Sequence, residues 1–138
     1  MRGVSLKTEI RVAAHLRRAE SAGAFAVVAR KGDPDAGAVA VKVFVGMGRA
    51  HLFLQSRDLD GASVWRNPFA DEGADIVRPV DDETATSAAR GPEVAVNGEA
   101  FEAAEETAVD ARLARETSFD PDLWIVEIED RSGRAFLV

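Results

Sequence analysis

The sequence contains no cysteine and no tyrosine, and only two of its 138 residues are histidine. Without cysteine the chain has no disulfide framework, no thiolate nucleophile and no cysteine-ligated zinc or iron–sulfur site. The lack of tyrosine removes a common phenolic proton donor. Any imidazole chemistry therefore depends on His15 and His51 alone.

Long apolar runs are also missing, and no stretch approaches the roughly 20 residues that a membrane-spanning helix needs. Near the N-terminus, Arg11, Arg17 and Arg18 interrupt the apolar core that a secretory signal requires. We therefore expect a cytoplasmic protein. The length fits one domain spanning residues 1–138, which would bury about two thirds of the surface of the unfolded chain.

Basic residues are fewer than acidic ones, and the formal net charge is −7. Between residues 71 and 106 there are eleven acidic residues and two arginines, a balance of −9, whereas residues 1–66 carry eleven basic and six acidic residues, a balance of +5. The overall charge argues against nucleic acid and anionic membranes as partners. The first half of the chain still allows a local basic patch.

Apolar residues at helical spacing predict a first helix from about Thr8 to Ala22, with Thr8 as its N-cap and Gly23 as its stop. Two alternating apolar runs follow from Ala24 to Val45, joined by turn-forming residues at 32–37. This pattern predicts two strands that pair in antiparallel fashion. Because both faces of these strands carry apolar side chains, we expect them at the centre of a sheet that is covered on each side.

The middle of the chain predicts shorter strands. A strand from Ala50 to Gln55 would complete a three-stranded meander with the two before it. Further short strands are predicted at 62–66 and at 76–80, where Pro79 favours an edge position. Residues 70–98 as a whole are acidic and irregular.

The last third predicts a helix from about 99 to 117 and a strong strand from Leu123 to Asp130. A turn at Asp130–Gly133 would return the chain as a short last strand at 135–138. The element order is α-β-β-β-(irregular)-α-β-β. This order favours an α+β fold, with two principal helices and a mainly antiparallel sheet of five or six strands.

Two segments of the chain carry family-like motifs. The first runs from Leu16-Arg17-Arg18 through AGAFA at 22–26 to KGD at 31–33 and AG at 36–37, and the second is FDPDLWIVEIED at 119–130. Together they resemble a family of small domains of unknown function found mostly in alphaproteobacteria, over roughly residues 5–55 and 108–137. The acidic stretch near 70–106 is longer than that family's pattern. The resemblance implies a small soluble domain and brings no activity and no site residues.

The chain contains two Asp-Pro-Asp triplets, at 33–35 and 120–122. If the triplets met in space, their carboxylates could bind a metal or act with a histidine in catalysis. The simpler interpretation is that each triplet is a turn, because aspartate beside proline is common turn chemistry. No calcium-loop spacing, HExxH motif, GxSxG elbow or phosphate-binding glycine loop accompanies them, so the sequence indicates no metal and no cofactor. The four carboxylates are those of Asp33, Asp35, Asp120 and Asp122.

Basic side chains cluster at the end of the first helix and around the next two strands. If the helix packs beside these strands, the cluster could hold an anionic ligand or partner, with the acidic 71–106 segment as an internal competitor. The simpler interpretation is solvated charge. The cluster consists of Arg17, Arg18, Arg30, Lys31 and Lys42.

The two tryptophans differ in their surroundings. Trp124 alternates in phase with Val126 and Ile128, so we expect it in the core. Trp65 lies in a weakly patterned stretch that we expect to be exposed, and large aromatics in such places can be binding anchors.

No nucleophile, metal site or phosphate loop stands out, which favours a non-catalytic binding or protein-interaction domain. Its partner would be a protein or a small anionic ligand, held by Trp65, the 56–70 loop and four residues of the basic cluster, Arg17, Arg18, Arg30 and Lys31. The alternative is a small enzyme, or a metal or anion binder, built on the two Asp-Pro-Asp triplets and a histidine. An uncovered sheet edge would also allow a homodimer.

Overall fold

Helices and strands in the chain were located in a computed structural model, which describes residues 6–57, 63–70, 76–77 and 102–138. No helix within these ranges is long and apolar enough to cross a membrane. The helices are α1 (Thr8–Ser21) and α2 (Glu106–Phe119). The strands are β1 (Phe25–Arg30), β2 (Val39–Gly46), β3 (Arg49–Arg57), β4 (Ser63–Arg66), β5 (Ile76–Val77), β6 (Ala104–Glu105) and β7 (Trp124–Glu129).

Helix α1 follows the predicted apolar stripe, and its buried face includes Val12, His15 and Ala19. Gly23 ends it with a φ of +92°, in the left-handed region that glycine adopts at no steric cost. The predicted cap is wrong, because Lys7 occupies the N-cap position and makes no side-chain capping bond. The Thr8 hydroxyl instead donates to the carbonyl of Gly37 at 2.8 Å, which fixes the start of the helix to the loop before β2.

All seven described strands form one sheet in the order β1-β7-β2-β3-β4-β5, and β6 pairs with β3. β7 runs parallel to β2, and the other pairings are antiparallel. The predicted α+β class with a mainly antiparallel sheet and two helices is confirmed, although the described residues contribute seven strands to the sheet rather than five or six.

The predicted hairpin of β1 and β2 is wrong, and the meander that depended on it is reduced to the antiparallel β2–β3 pair. β7 lies between β1 and β2, with Val126 opposite Val28 on one side and Val41 on the other. The reason is burial. Four of the six residues of β7 are buried at the centre of the sheet, whereas β1 has one buried residue and occupies the edge.

The two faces of β2 are covered by different helices, as predicted for this strand. Val41 and Val43 face the α1 side, in a core cluster that includes Phe53, Trp124 and Ile128. Ala40 faces the α2 side, in a second cluster with Leu52, Val109 and Leu113. The sheet is therefore sandwiched between the two helices at its centre. The same prediction fails for β1, which lies at the edge with Phe25, Val27 and Val28 exposed.

The C-terminal residues form no strand, contrary to prediction. The turn after β7 is present, with Gly133 at a φ of +79°. The chain then runs back along α1 instead of pairing with β7, and its carbonyls accept bonds from helix side chains: Ala135 from His15 at 2.6 Å and Phe136 from Arg18 at 3.0 Å.

Two elements begin or end at other residues than the sequence predicted. α2 begins at Glu106 rather than near residue 99, and it ends at Phe119, while Ala104–Glu105 forms the short strand β6. The predicted strand at 76–80 is present at Ile76–Val77, which is an edge strand as expected. Most of the acidic stretch at 70–98, including the predicted helix start at 97–99, lies outside the described residues.

Candidate functional site

The two Asp-Pro-Asp triplets meet in the folded protein, through their backbones. The N–H of Asp33 donates to the carbonyl of Asp122 at 3.0 Å, and the indole N–H of Trp124 donates to the carbonyl of Asp33 at 2.7 Å. Gly32 and Gly37 permit this approach, because a Cβ at either position would overlap the carbonyl of Asp122. The contact joins the loop after β1 to the start of β7.

The carboxylates of the triplets serve local structure. Asp33 Oδ2 accepts the backbone N–H three residues further on at 2.8 Å, and Asp120 Oδ1 accepts the N–H of Asp122 at 3.0 Å. Asp35 forms an exposed ion pair with Lys7 at 3.6 Å. Within the described ranges, no three histidine or acidic side chains are arranged to hold a metal ion. The geometry is that of two turns.

The two histidines have different surroundings on the α1 side of the sheet. His15 is 5% exposed, and burial lowers its pKa to about 4, against the opposing effect of its hydrogen bond to Ala135. His51 stacks on Phe53 with 6.1 Å between ring centroids, and burial lowers its pKa. In the part of the chain that is described, neither ring has a carboxylate partner, and the ring of His15 is instead bonded to the carbonyl of Ala135.

The residues of the predicted basic cluster lie in separate parts of the structure. Arg30 donates to the carbonyls of Pro121 and Leu123, at 3.0 and 2.6 Å, and so supports the contact between the triplets. Arg17 and Lys31 are exposed, whereas Arg18 is half-buried beside the C-terminal segment.

Lys42 does not belong to the basic cluster, because it lies under α2 on the opposite face of the sheet. Its ammonium is 2.7 Å from Glu106, 2.8 Å from Asp110 and 3.8 Å from Glu127. Burial alone would lower the pKa of Lys42, but the hydrogen bonds to Asp110 and Glu106 outweigh it and raise that pKa above its usual value. This buried cation anchors α2 to the sheet.

Trp65 is buried, with 3% of its surface exposed, so its predicted exposure is wrong. It pairs with Val77 on β5 and Gln55 on β3, and its indole N–H donates to the carbonyl of Val138 at 3.4 Å. The predicted 56–70 loop is partly strand, because β3 extends to Arg57 and β4 begins at Ser63. The stretch lacked a clear alternation because both β4 and β5 are short.

A cleft of about 180 Å³ lies between α1 and the sheet, and we call it the α1 cleft. It brings together three residues singled out from the sequence, His15, Arg18 and Trp65, and two that were missed, Arg11 and Gln55. Arg11 donates to Gln55 Oε1 at 3.5 Å, and the same oxygen accepts the N–H of Val39 at 3.1 Å. Arg11 and Arg18 are seven residues apart and therefore lie on one face of α1, which is the sequence feature that could have grouped them. Its principal lining residues are Arg11, Val12, His15, Arg18, Gln55 and Trp65.

The outer edge of β1 is a second candidate surface. β7 pairs with one side of β1, and no other described strand pairs with the opposite side. Phe25, Val27 and Val28 are 59%, 38% and 37% exposed along this strand. The register of β1 against β7 shifts between Val28 and Arg30, a bulge that ends the regular pairing.

The family described as "Protein of unknown function (DUF1491)" matches residues 6–138 of the chain. A crystal structure of a DUF1491 family protein from Caulobacter crescentus CB15 is similar at 39% identity, covering 97% of this chain and 96% of that one, with a TM-score of 0.68. An NMR structure of a DUF1491 family protein from the same organism is similar at 40% identity, covering 99% of this chain and 96% of that one, with a TM-score of 0.66.

A third similar structure is a solution structure of a protein from A. tumefaciens. It is 27% identical to this chain, with coverage of 92% of this chain and 87% of that one and a TM-score of 0.60. No curated protein matches the chain. The resemblance drawn from the sequence motifs is therefore confirmed. Because the family match spans almost the whole chain and the Caulobacter structures agree with it in fold, the protein belongs to the DUF1491 family, whose function is unknown.

Proposed function

We propose that this protein is a non-catalytic interaction domain that pairs with a second copy of itself through the open edge of β1. The observation that carries this proposal is the exposure of Phe25, Val27 and Val28 on a strand whose outer edge pairs with no other described strand. Such an edge presents unpaired N–H and C=O groups to an incoming strand, and its apolar side chains add contacts across the pair.

A second copy fits this edge by symmetry. Antiparallel pairing about a twofold axis at Val27 places Val27 opposite its own equivalent and Phe25 opposite Ala29 of the other copy. Apolar pairs directly opposite one another are the units that stabilise a sheet. The six residues of β1 span roughly 20 Å, enough for several such pairs.

Charge also favours the antiparallel arrangement. Lys31, which is exposed, follows the end of β1, while the exposed Glu129 of β7 lies opposite Phe25 at the beginning of β1. Antiparallel pairing brings the end of one β1 to the beginning of the other. Lys31 of one copy therefore lies at the same end of the extended sheet as Glu129 of its partner, and the two charges attract.

The side chains that were candidates for catalysis make hydrogen bonds that stabilise the fold. Asp33 and Asp120 each accept a backbone N–H within their own turn, and His15 is bonded to the carbonyl of Ala135. The alternative of a small enzyme or metal binder at the two triplets would need these carboxylates to converge on one point. We therefore favour interaction over catalysis.

A six-residue edge contact buries less than the roughly 1,000 Å² that a stable complex needs, so the dimer should be weak. We expect a dissociation constant on the order of 10–100 μM, measured by sedimentation equilibrium over a range of protein concentrations. Val27→Lys places like charges opposite each other at the twofold axis and should leave the protein monomeric. Ile10→Lys is the matched control, because Ile10 is 49% exposed on α1 and the change in charge is the same.

Dimerisation of the wild type and of Ile10→Lys, together with a monomeric Val27→Lys, supports the proposal. A wild type that stays monomeric at millimolar concentration contradicts it, as does a Val27→Lys variant that dimerises like the wild type. Amide hydrogen exchange in β1 adds a local readout, since pairing should slow exchange there as the protein concentration rises.

A further inference from the structure

We propose that the α1 cleft binds a small monocarboxylate with a short apolar tail, whose carboxylate pairs with the guanidinium of Arg18. This site lies between α1 and the sheet and does not depend on pairing at the β1 edge.

The first step of the argument is the charge of Arg18. Its guanidinium donates to the carbonyl of Phe136 at 3.0 Å, and no described carboxylate lies within ion-pair distance of it. Its Nε is buried and has no hydrogen-bond partner among the described residues. A half-buried cation with an unused donor is costly, and burial lowers the pKa of Arg18 accordingly. An anion that reached the accessible part of this guanidinium would supply the missing opposite charge.

The second step is the polarity of the cleft. Arg11, Gln55 and Val138 line it together with Arg18, and no described aspartate or glutamate does. His15 also lines it, but its pKa of about 4 keeps the ring neutral at physiological pH. The cleft therefore favours an anion through Arg18, and the neutral imidazole adds no further positive charge.

The third step is the size and character of the walls. The cleft volume of about 180 Å³ is below the roughly 300 Å³ at which drug-sized ligand pockets begin, so the cleft suits a small ligand. Leu6, Val12, Val39 and Trp65 form apolar parts of its lining. Such walls suit an alkyl group better than a fully polar anion such as phosphate, so we infer a carboxylate on a short apolar tail.

Butyrate has the predicted size and chemistry and serves as the probe. Binding is followed by titration of the full-length protein with butyrate, monitored by backbone amide chemical shifts at constant ionic strength. Butyramide, a neutral molecule of the same shape, and inorganic phosphate are titrated in parallel. We expect butyrate to bind with a dissociation constant on the order of 1 mM, and butyramide to bind at least about tenfold more weakly.

Two variants separate a specific pair from general charge attraction. Arg18→Gln should weaken butyrate binding by at least about tenfold. Arg115→Gln removes the same charge from an exposed position on α2, across the sheet, and should leave the affinity within about twofold.

The outcomes divide clearly. Saturable shifts at α1 and β3, with the expected loss in Arg18→Gln alone, support the site. Absence of saturable binding, equal binding of butyramide, tighter binding of phosphate, or an equal loss in Arg115→Gln would overturn it. Arg18→Gln also loses the bond to Phe136 and could fail to fold for that reason. In that case the affinities of the wild type for butyrate and for butyramide still test whether the site requires a carboxylate. Failure here leaves the β1 dimer unaffected, since Val27→Lys does not alter the cleft.

Discussion

His15 and Lys42 are polar residues that the sequence places on largely apolar patterns, and each is stabilised by a partner distant in the chain. His15 lies 120 residues from Ala135, the carbonyl that its ring contacts. Lys42 lies 64 and 68 residues from Glu106 and Asp110, its two closest ion partners. A local sequence pattern shows that such a residue interrupts an apolar stripe. It cannot show which distant group forms the hydrogen bond or ion pair that stabilises the residue. That information exists only in the folded protein.

The depressed pKa of His15 predicts that acid destabilises the protein through this one residue. In the unfolded chain the pKa of the ring is near 6.5, and in the folded protein it is about 4, so its contribution is fully present above pH 6.5 and is lost as the pH falls toward 4. At pH 5 the loss from this residue should be about 2 kcal/mol. His15→Gln keeps a donor for Ala135 and removes the titration.

The measurement is urea unfolding of the wild type and His15→Gln at pH 7.5 and pH 5. The difference between the two proteins should shrink or reverse at the lower pH, by about 2 kcal/mol. His51 remains in both proteins, so its own lowered pKa cancels in the comparison. An unchanged difference between the two pH values would show that His15 does not titrate as the geometry implies.

At the scale of elements, α1 begins with a tertiary contact in place of a side-chain cap of its own. The N–H groups of Thr8 and Glu9 donate to the carbonyls of Asp35 and Pro34, at 3.2 and 2.9 Å. The orphan donors of the first turn are thus satisfied by the Asp-Pro-Asp loop after β1. This explains why a threonine in the expected place does not act as an N-cap, and it gives the first triplet a definite structural role.

Thr8→Val should therefore cost more than the loss of an ordinary surface hydroxyl. Thr8 is 2% exposed, and its hydroxyl is the donor to the buried carbonyl of Gly37, so we expect a loss of about 1–2 kcal/mol in the free energy of unfolding. Thr117→Val is the matched control, because the Thr117 hydroxyl bonds only within its own helix, to Ala114 at 3.0 Å, and should change stability by less than about 0.5 kcal/mol. Equal losses in urea unfolding would refute the tertiary cap.

At the scale of the whole molecule, β7 organises the sheet, although it is the last strand in the described chain. It pairs with β1 on one side and β2 on the other. The strand that lies between β1 and β2 in the sheet therefore comes later in the sequence than both of them. The parallel pairing with β2 and the distance along the chain make these contacts strongly non-local. Non-local strand pairing is typical of slowly folding proteins.

The sheet order predicts unequal effects of one substitution at two facing valines. Val28 and Val126 lie opposite each other in the β1–β7 register, but Val126 is fully buried and Val28 is 37% exposed at the edge. Val126→Ala should cost about 2–3 kcal/mol in the free energy of unfolding. Val28→Ala should cost less than about 1 kcal/mol, measured by urea unfolding at low protein concentration. Similar losses at both sites would mean that β1 is as central as β7, as the hairpin prediction required.

The sequence by itself determined which segments become helix and strand over most of the described chain, the burial of Trp124 and the α+β class, because hydrophobic periodicity and turn residues act locally. Only the tertiary structure decided that β7 separates β1 from β2, that Trp65 is buried and that Arg18 meets Trp65 at a cleft. It also decided that the two Asp-Pro-Asp triplets meet through carbonyls instead of carboxylates. Alternation identifies a strand but not its neighbours, which are selected by the total apolar surface that the whole chain can bury.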